Sequence, residues 1–298
     1  MGSRYWELTV AVPPDASEGL TNFVWELGAL GVVEEEQPAG PAQLRAFFSD
    51  VADSRAIVKS VDVYLGALHS LGFSRAGSPA VAIVAEDDWA QAWRAHFAPL
   101  PIGRHLLVTP PWETPPDADG RLILCLEPGR AFGTGQHGTT TGCLELLETI
   151  VERARPACAI DLGTGSGILA IAAARLGVSQ VLAVDSDPDA IASATANIER
   201  NGVAGRVTCQ VADAGTISPA AAPLVLANLL AAAHRALAPS YIRLVAAGGT
   251  LVAGGCLDAE ADDVTVALAG HGFRRLDVRS IDGWTTLAYE HAPLHDRA

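Results

Sequence analysis

Residues 160–167 read Ile160-Asp161-Leu162-Gly163-Thr164-Gly165-Ser166-Gly167, an apolar strand end running into three glycines at alternate positions. Glycine belongs where a backbone must approach a ligand closely or take positive φ, because a Cβ would forbid either. Downstream, the apolar run Val181-Leu182-Ala183-Val184 ends in Asp185. If the two strands are parallel neighbours, that acid stands beside the glycine loop, where a carboxylate accepts hydrogen bonds from both hydroxyls of a ribose. The pattern is that of a chain built to hold a nucleoside-containing cofactor.

Around this loop the chain alternates strand and helix. Strand 157–161 leads in, and the helix over 168–176 stops at Gly177, a glycine C-cap. Asp187-Pro188 starts the next helix with a side-chain acceptor and a first-turn proline, and Gly202 ends it. Strands at 207–211 and 224–227 continue the alternation, which predicts a doubly wound, Rossmann-like α/β sheet. Two strand-like runs, 273–279 and 284–289, are joined through the turn dipeptide Asp282-Gly283. A closing antiparallel hairpin is unusual in a plain dinucleotide domain and usual in the methyltransferase version of this sheet. Upstream lie a strand at 122–126, the loop 127–141 and a helix to about residue 154.

The N-terminal part follows another plan. Strand 5–12 precedes a helix whose Leu20, Phe23, Val24 and Leu27 form one buried stripe. Strands near 31–33 and 44–48, a helix with Ile57, Val58, Val61, Leu65 and Leu68 on one side, and strand 80–85 complete the order βαββαβ. That order predicts a ferredoxin-like α+β domain over 1–86, two helices covering one face of an antiparallel sheet. Such a module binds more often than it catalyses. Residues 87–105 read as a linker helix carrying Trp89, Trp93 and Phe97, and 106–298 as the doubly wound domain.

Bulk properties narrow the function. The apolar stretch 224–233 is broken by Asn228 and too short to span a bilayer, and the N-terminus has no secretion signal, so a cytoplasmic protein is expected. Five cysteines without a C-x-x-C pair read as reduced thiols, and His96, His105, His137 and His234 show no metal-ligand spacing. With 34 acids against 20 bases, the formal charge of −14 opposes a phosphate backbone and favours a basic protein partner. Direct binding to nucleic acid is not expected, and a monomer is.

A lone glycine fingerprint serves nicotinamide, flavin and S-adenosylmethionine folds alike. Here the spacing is D-x-G-x-G-x-G, which resembles the first motif of class I S-adenosylmethionine-dependent methyltransferases. Ala227-Asn228-Leu229-Leu230 falls at the carboxyl end of the fourth strand, the edge where open α/β sheets bind ligands. Amino-group methyltransferases often place an asparagine there, its side-chain oxygen and the next carbonyl receiving the target nitrogen, although asparagine at a strand end is more commonly a turn former. Asp213, after the following strand, either reaches the adenine or closes a turn.

A third motif makes the match specific. Glu127-Pro128-Gly129-Arg130-Ala131-Phe132-Gly133-Thr134-Gly135-Gln136-His137-Gly138-Thr139-Thr140 resembles the E-P-G-x-A-F-G-T-G-x-H-x-T-T loop of the ribosomal protein L-eleven methyltransferases, PrmA. The resemblance covers about residues 89–289, and Trp284 lies in a similar closing hairpin. It implies that Thr140 binds the methionine end of S-adenosyl-L-methionine, that Gly163 and Gly165 line the loop, and that Asp185 holds the ribose. Asn228 would touch both cofactor and target amine, and Phe132 would lie over the cofactor as part of a lid. His137 either meets the substrate amine or pins the lid. Gly138, where the family often has Pro or Glu, would leave that lid looser. The implied reaction moves methyl groups to lysine side-chain and N-terminal amines of ribosomal protein L-eleven, which the N-terminal domain would grip. The alternatives are a protein-lysine methyltransferase with another target and a non-catalytic cofactor-binding scaffold.

Overall fold

A computed structural model describes residues 4–29, 31–35, 41–49, 51–70, 72–74, 76–85, 98–113, 118–127 and 137–292. Its contacts divide the chain into two compact units, Met1–Phe97 and Ala98–Ala298.

In the first unit the strands are β1 (Arg4–Val12), β2 (Gly31–Glu35), β3 (Ala42–Ser49) and β4 (Ala80–Ala85), and the helices α1 (Pro14–Glu26) and α2 (Ser54–Ser70). The sheet runs β2-β3-β1-β4 with every pair antiparallel. Side chains alternate across a strand, so Trp6, Leu8, Val10 and Val12 of β1 share one face. They pack with Leu44, Ala46 and Phe48 of β3 against Leu20 and Val24 of α1 and Ile57 and Val61 of α2. Trp6 and Phe48 stack at 4.5 Å, and Phe23 on Tyr64 at 4.2 Å joins the two helices. On the opposite face the Arg45 guanidinium bridges Glu7 and Glu35.

The second unit opens on a small sheet of β5 (Leu100–Ile102), β6 (Leu106–Thr109) and β7 (Leu122–Cys125). This corrects the expected linker over 87–105. Leu100–Ile102 form a strand paired antiparallel with β6, inside the second unit; the aromatic positions Trp89, Trp93 and Phe97 lie outside the described residues. Two prolines, Pro99 and Pro101, keep this stretch extended.

Helix α3 (Gly138–Ala154) follows, then β8 (Cys158–Leu162), α4 (Ile168–Leu176), β9 (Gln180–Asp185), α5 (Pro188–Arg200), β10 (Val207–Val211) and β11 (Ala222–Asn228). The chain continues through α6 (Ala231–Leu244), β12 (Val245–Leu257), α7 (Ala261–Ala269), β13 (Phe273–Ile281) and β14 (Trp284–His291). The seven strands run β10-β9-β8-β11-β12-β14-β13, parallel except for the antiparallel β14. That is the doubly wound methyltransferase sheet with its closing hairpin.

Strand parity places the site. On β11, Leu224 and Leu226 enter the core beneath α3, α4 and α5, while Val225 and Ala227 enter the core beneath α6 and α7. Asn228 therefore takes the α3 side. Ala159 of β8 and Val181 and Ala183 of β9 belong to that same core, so Asp161 and Asp185 follow them to it. The parallel register sets Leu226 beside Asp161 and Asp161 beside Ala183. Asp161, Asp185 and Asn228 thus gather at the carboxyl edge of one face.

Candidate active site

The glycine loop is held from both sides. Gly163 takes φ +67°, the left-handed region that favours glycine, and its bare Cα lets the tip of the Leu229 side chain close in, Cδ2 lying 2.5 Å from where a Cβ would stand. The Thr164 amide donates to the Val184 carbonyl at 3.0 Å, and the Gly165 amide donates to Asp185 Oδ2 at 2.9 Å. Asp185 Oδ1 accepts from the Asp187 amide at 3.1 Å. An ionised carboxylate has about four acceptor sites, so these two bonds orient Asp185 without exhausting it. Asp213 Oδ1 accepts from the Gly215 amide at 2.8 Å and closes a turn.

Asp161 is completely buried. Its Oδ2 accepts from Thr164 Oγ1 at 2.6 Å and from the Ala170 amide at 3.2 Å, which ties strand end, loop and α4 together, while Oδ1 is buried without a partner among the described residues. Burial pushes its pKa up to about 7 against the lowering effect of those donors, and neighbouring Asp185 adds to the rise. An unfolded aspartate titrates near 3.9. Between about pH 4 and about pH 7 the folded chain therefore holds a proton here that the unfolded chain has released, and this contribution to stability declines as pH rises. Asp161→Asn, which cannot ionise, is expected to remove that decline, narrowing the wild-type minus variant difference in Tm by about 5 °C between about pH 5 and about pH 7.5. Parallel melting curves across that range would refute the account.

The start of α3 meets this loop region from the side. His137 is the N-cap, its Nδ1 accepting from the Thr139 amide at 3.4 Å and lying 2.9 Å from Thr139 Oγ1. Its ring sits edge-on to Trp284, centroids 4.9 Å apart, and burial lowers its pKa. The ring thus caps the helix start; the lid segment 128–136, which it was expected either to pin or to complement at the substrate amine, lies outside the described residues. At Gly138 a Cβ would lie 2.7 Å from the Ile281 carbonyl oxygen, so its bareness lets α3 seat against β13.

Thr140 and Asn228, far apart in sequence, are brought together. Thr140 is wholly buried, and Asn228 Nδ2 donates to its Oγ1 at 3.4 Å. Asn228 Oδ1 is then left buried with no partner among the described residues. A buried amide oxygen without a donor costs about 1–3 kcal/mol, a penalty that a bound donor would relieve. The expected lid residue Phe132, with Gly133 and Gly135, lies outside the described residues. Among the described residues no group of three or more His, Cys, Asp or Glu is placed to hold a metal ion.

Two further asparagines, Asn197 in α5 and Asn201 at its C-cap, hold the surroundings of the loop. Asn197 Nδ2 donates to the Ser166 carbonyl at 2.9 Å and its Oδ1 accepts from the Glu127 amide at 3.1 Å, joining the glycine loop to the chain just before residues 128–136. Asn201 accepts from the Cys125 amide at 2.8 Å and donates to the Cys125 carbonyl at 2.7 Å. Arg200 completes the clamp through Glu127 at 2.7 Å. The signal was available: Ala190, Ala194, Asn197, Ile198 and Asn201 lie on the buried side of this helix. Amides on an apolar stripe announce backbone partners.

A family model described as ribosomal protein L11 methyltransferase (PrmA) matches residues 4–292, both units included. The chain belongs to this family. Curated PrmA proteins called ribosomal protein L11 methyltransferase include one from Trichlorobacter lovleyi, 37% identical over 288 residues and 92% of each chain. Another, from Geobacter sulfurreducens, is 36% identical over 97% of this chain and 99% of its own. The crystal structure of ribosomal protein L11 methylase from Lactobacillus delbrueckii subsp. bulgaricus is similar with a TM-score of 0.61 and 29% identity, covering 66% of this chain and all of that one. PrmA membership and the sheet described above make the protein an S-adenosylmethionine-dependent protein methyltransferase.

Proposed function

We propose that this protein methylates lysine side-chain and N-terminal amines of ribosomal protein L11, with Thr140, Gly163, Gly165, Asp185 and Asn228 holding the cofactor and Asn228 also receiving the amine. The observation that carries this reading is the buried, unpartnered Asn228 Oδ1, poised beside Thr140 and the glycine loop. Two more features fit the cofactor: Gly163 leaves a bare backbone at the loop, and Asp185 retains acceptor capacity there. When bound, S-adenosylmethionine supplies an electrophilic methyl group carried on a sulfonium. The chain's own work is alignment and exclusion of water.

The attacking amine has to be neutral. A free lysine titrates near 10.4 and an α-amine near 8, so a site that desolvates the ammonium favours the reactive form. An amide oxygen suits this better than a carboxylate, which would stabilise the ammonium. Phe132 completes the reading as part of a lid, and residues 1–86 as the part that grips the protein substrate. We place the activity in the cytoplasm, in a monomer that needs no nucleic acid. In support, no helix among the described residues is long and apolar enough to cross a membrane, and the net charge of −14 disfavours phosphate backbones.

The test is a transfer assay with radiolabelled S-adenosylmethionine and purified L11, followed by peptide mapping. Label on lysine and N-terminal amines is expected. Label absent from L11 and present on another protein of a cell extract would replace the target, and no label anywhere would leave a scaffold.

A further inference from the structure

The peptide that follows Asn228 rests on a Gly-Gly step of β12. Asn228 is in register with Gly254, and the Leu229 amide donates to the Gly254 carbonyl at 3.0 Å. Gly254 is followed by Gly255 at φ +84°, where any Cβ would collide with the Leu229 carbonyl. A Gly-Gly peptide is the least restrained that a chain can build. Were it to rotate, the Gly254 carbonyl would turn away from Leu229 and the Asn228-Leu229 segment would lose its support.

A second group reaches the same oxygen. His234, in the first turns of α6, is entirely buried, and its Nε2 lies 2.8 Å from the same Gly254 oxygen. Its Nδ1 lies 2.8 Å from the hydroxyl of Tyr241, itself fully buried. A carbonyl only accepts, so Nε2 carries the proton; Nδ1 of the neutral ring then accepts from Tyr241. Burial holds the His234 pKa below the ordinary histidine value, in keeping with the neutral ring. Tyrosine, imidazole and carbonyl form one relay with a single direction, and two donors, one backbone and one imidazole, converge on one oxygen.

We propose that His234 is a positioning residue for methyl transfer, acting through the Gly254 carbonyl to fix the Asn228-Leu229 segment that receives the amine. The inference rests on the amine-methylating reading given above. His234 is wholly buried and reaches the site through backbone. Its effect should fall on the geometry of the reacting pair, where a displacement of ~1 Å costs about a hundred-fold in rate.

The experiment compares His234→Leu, His234→Gln and Tyr241→Phe with the full-length wild-type chain, measuring kcat on L11 and, by calorimetry, the Kd for S-adenosylmethionine. His234→Leu is expected to lower kcat by about a hundred-fold with Kd within about three-fold of wild type. His234→Gln, whose amide nitrogen can still donate to Gly254, should recover at least about ten-fold of that loss. Tyr241→Phe, which only frees the ring to rotate, should cost about five-fold in kcat. If leucine and glutamine lose kcat equally, or if the loss appears in Kd instead, His234 is packing and the proposal fails. Should the leucine variant not fold, full kcat in both Tyr241→Phe and His234→Gln overturns the relay, and a reduced kcat in Tyr241→Phe at unchanged Kd supports it. A wild-type chain that leaves L11 unlabelled would overturn the underlying reading instead, which the same assay shows directly.

Discussion

Replacing Asn228 with alanine should lower kcat for amine methylation by roughly a thousand-fold while the Kd for S-adenosylmethionine rises by no more than about ten-fold. The asymmetry follows from what the side chain does in the folded chain. Among the described residues its Nδ2 makes one long hydrogen bond, 3.4 Å to Thr140 Oγ1, and its Oδ1 makes none. Loss of that bond costs at most ~1 kcal/mol of stability, so the variant should fold. Truncation instead removes the acceptor that aims the nucleophile, an interaction felt in the rate far more than in cofactor binding. Asn228→Asp sharpens the test, because a carboxylate holds the ammonium form and should move the activity to higher pH. Steady-state rates at saturating cofactor, with calorimetry for Kd, decide it; an alanine variant with full turnover would remove Asn228 from the mechanism.

Asn228 was legible because several independent signals converged on one edge. The glycine loop and Asp185 marked the carboxyl ends of β8 and β9, and the alternation Leu224-Val225-Leu226-Ala227 placed the next residue at the end of a strand buried on both faces. The first unit was equally open, since its helical stripes and two-residue strand alternation agree with its tertiary packing. Other parts were hidden for physical reasons. Helix α6 is rich in alanine and carries Pro239 inside it, so neither a strong apolar stripe nor an uninterrupted run advertises it. Strand β12 contains four glycines, Gly248, Gly249, Gly254 and Gly255, which read as turns; the last two serve here to let Asn228, Cys143 and Leu229 approach. The strands β5 and β6 have only three and four residues. Short extended pieces of that kind are stabilised by partners distant in sequence, and no local pattern records them. The same holds for Asn197 and His234, whose importance lies in which carbonyl each reaches.

A chain reduced to Ala98–Ala298 should bind S-adenosylmethionine within about three-fold of the full-length protein and label L11 at least about a hundred-fold more slowly. Thr140, Gly163, Gly165, Asp185 and Asn228 all fall in this unit, which has its own cores on both faces of its sheet. The first unit contributes a separate core to its own sheet, and by the proposed division of labour it grips the substrate. Where the cut is made matters. Beginning instead at residue 106 removes β5 and the turn after it, and with them the partners of Glu148: this nearly buried carboxylate on α3 accepts from the Arg104 amide at 2.9 Å and the His105 amide at 2.5 Å. Left without donors, a buried carboxylate costs several kcal/mol or forces the helix to shift. Since α3 carries His137 and Thr140 at its other end, the shorter chain should melt lower and bind cofactor more weakly than the one beginning at Ala98. Calorimetry on both chains separates the effects. Equal cofactor affinity and equal Tm would show that Glu148 does not anchor α3, and undiminished labelling of L11 by the longer one would take substrate recognition away from the first unit.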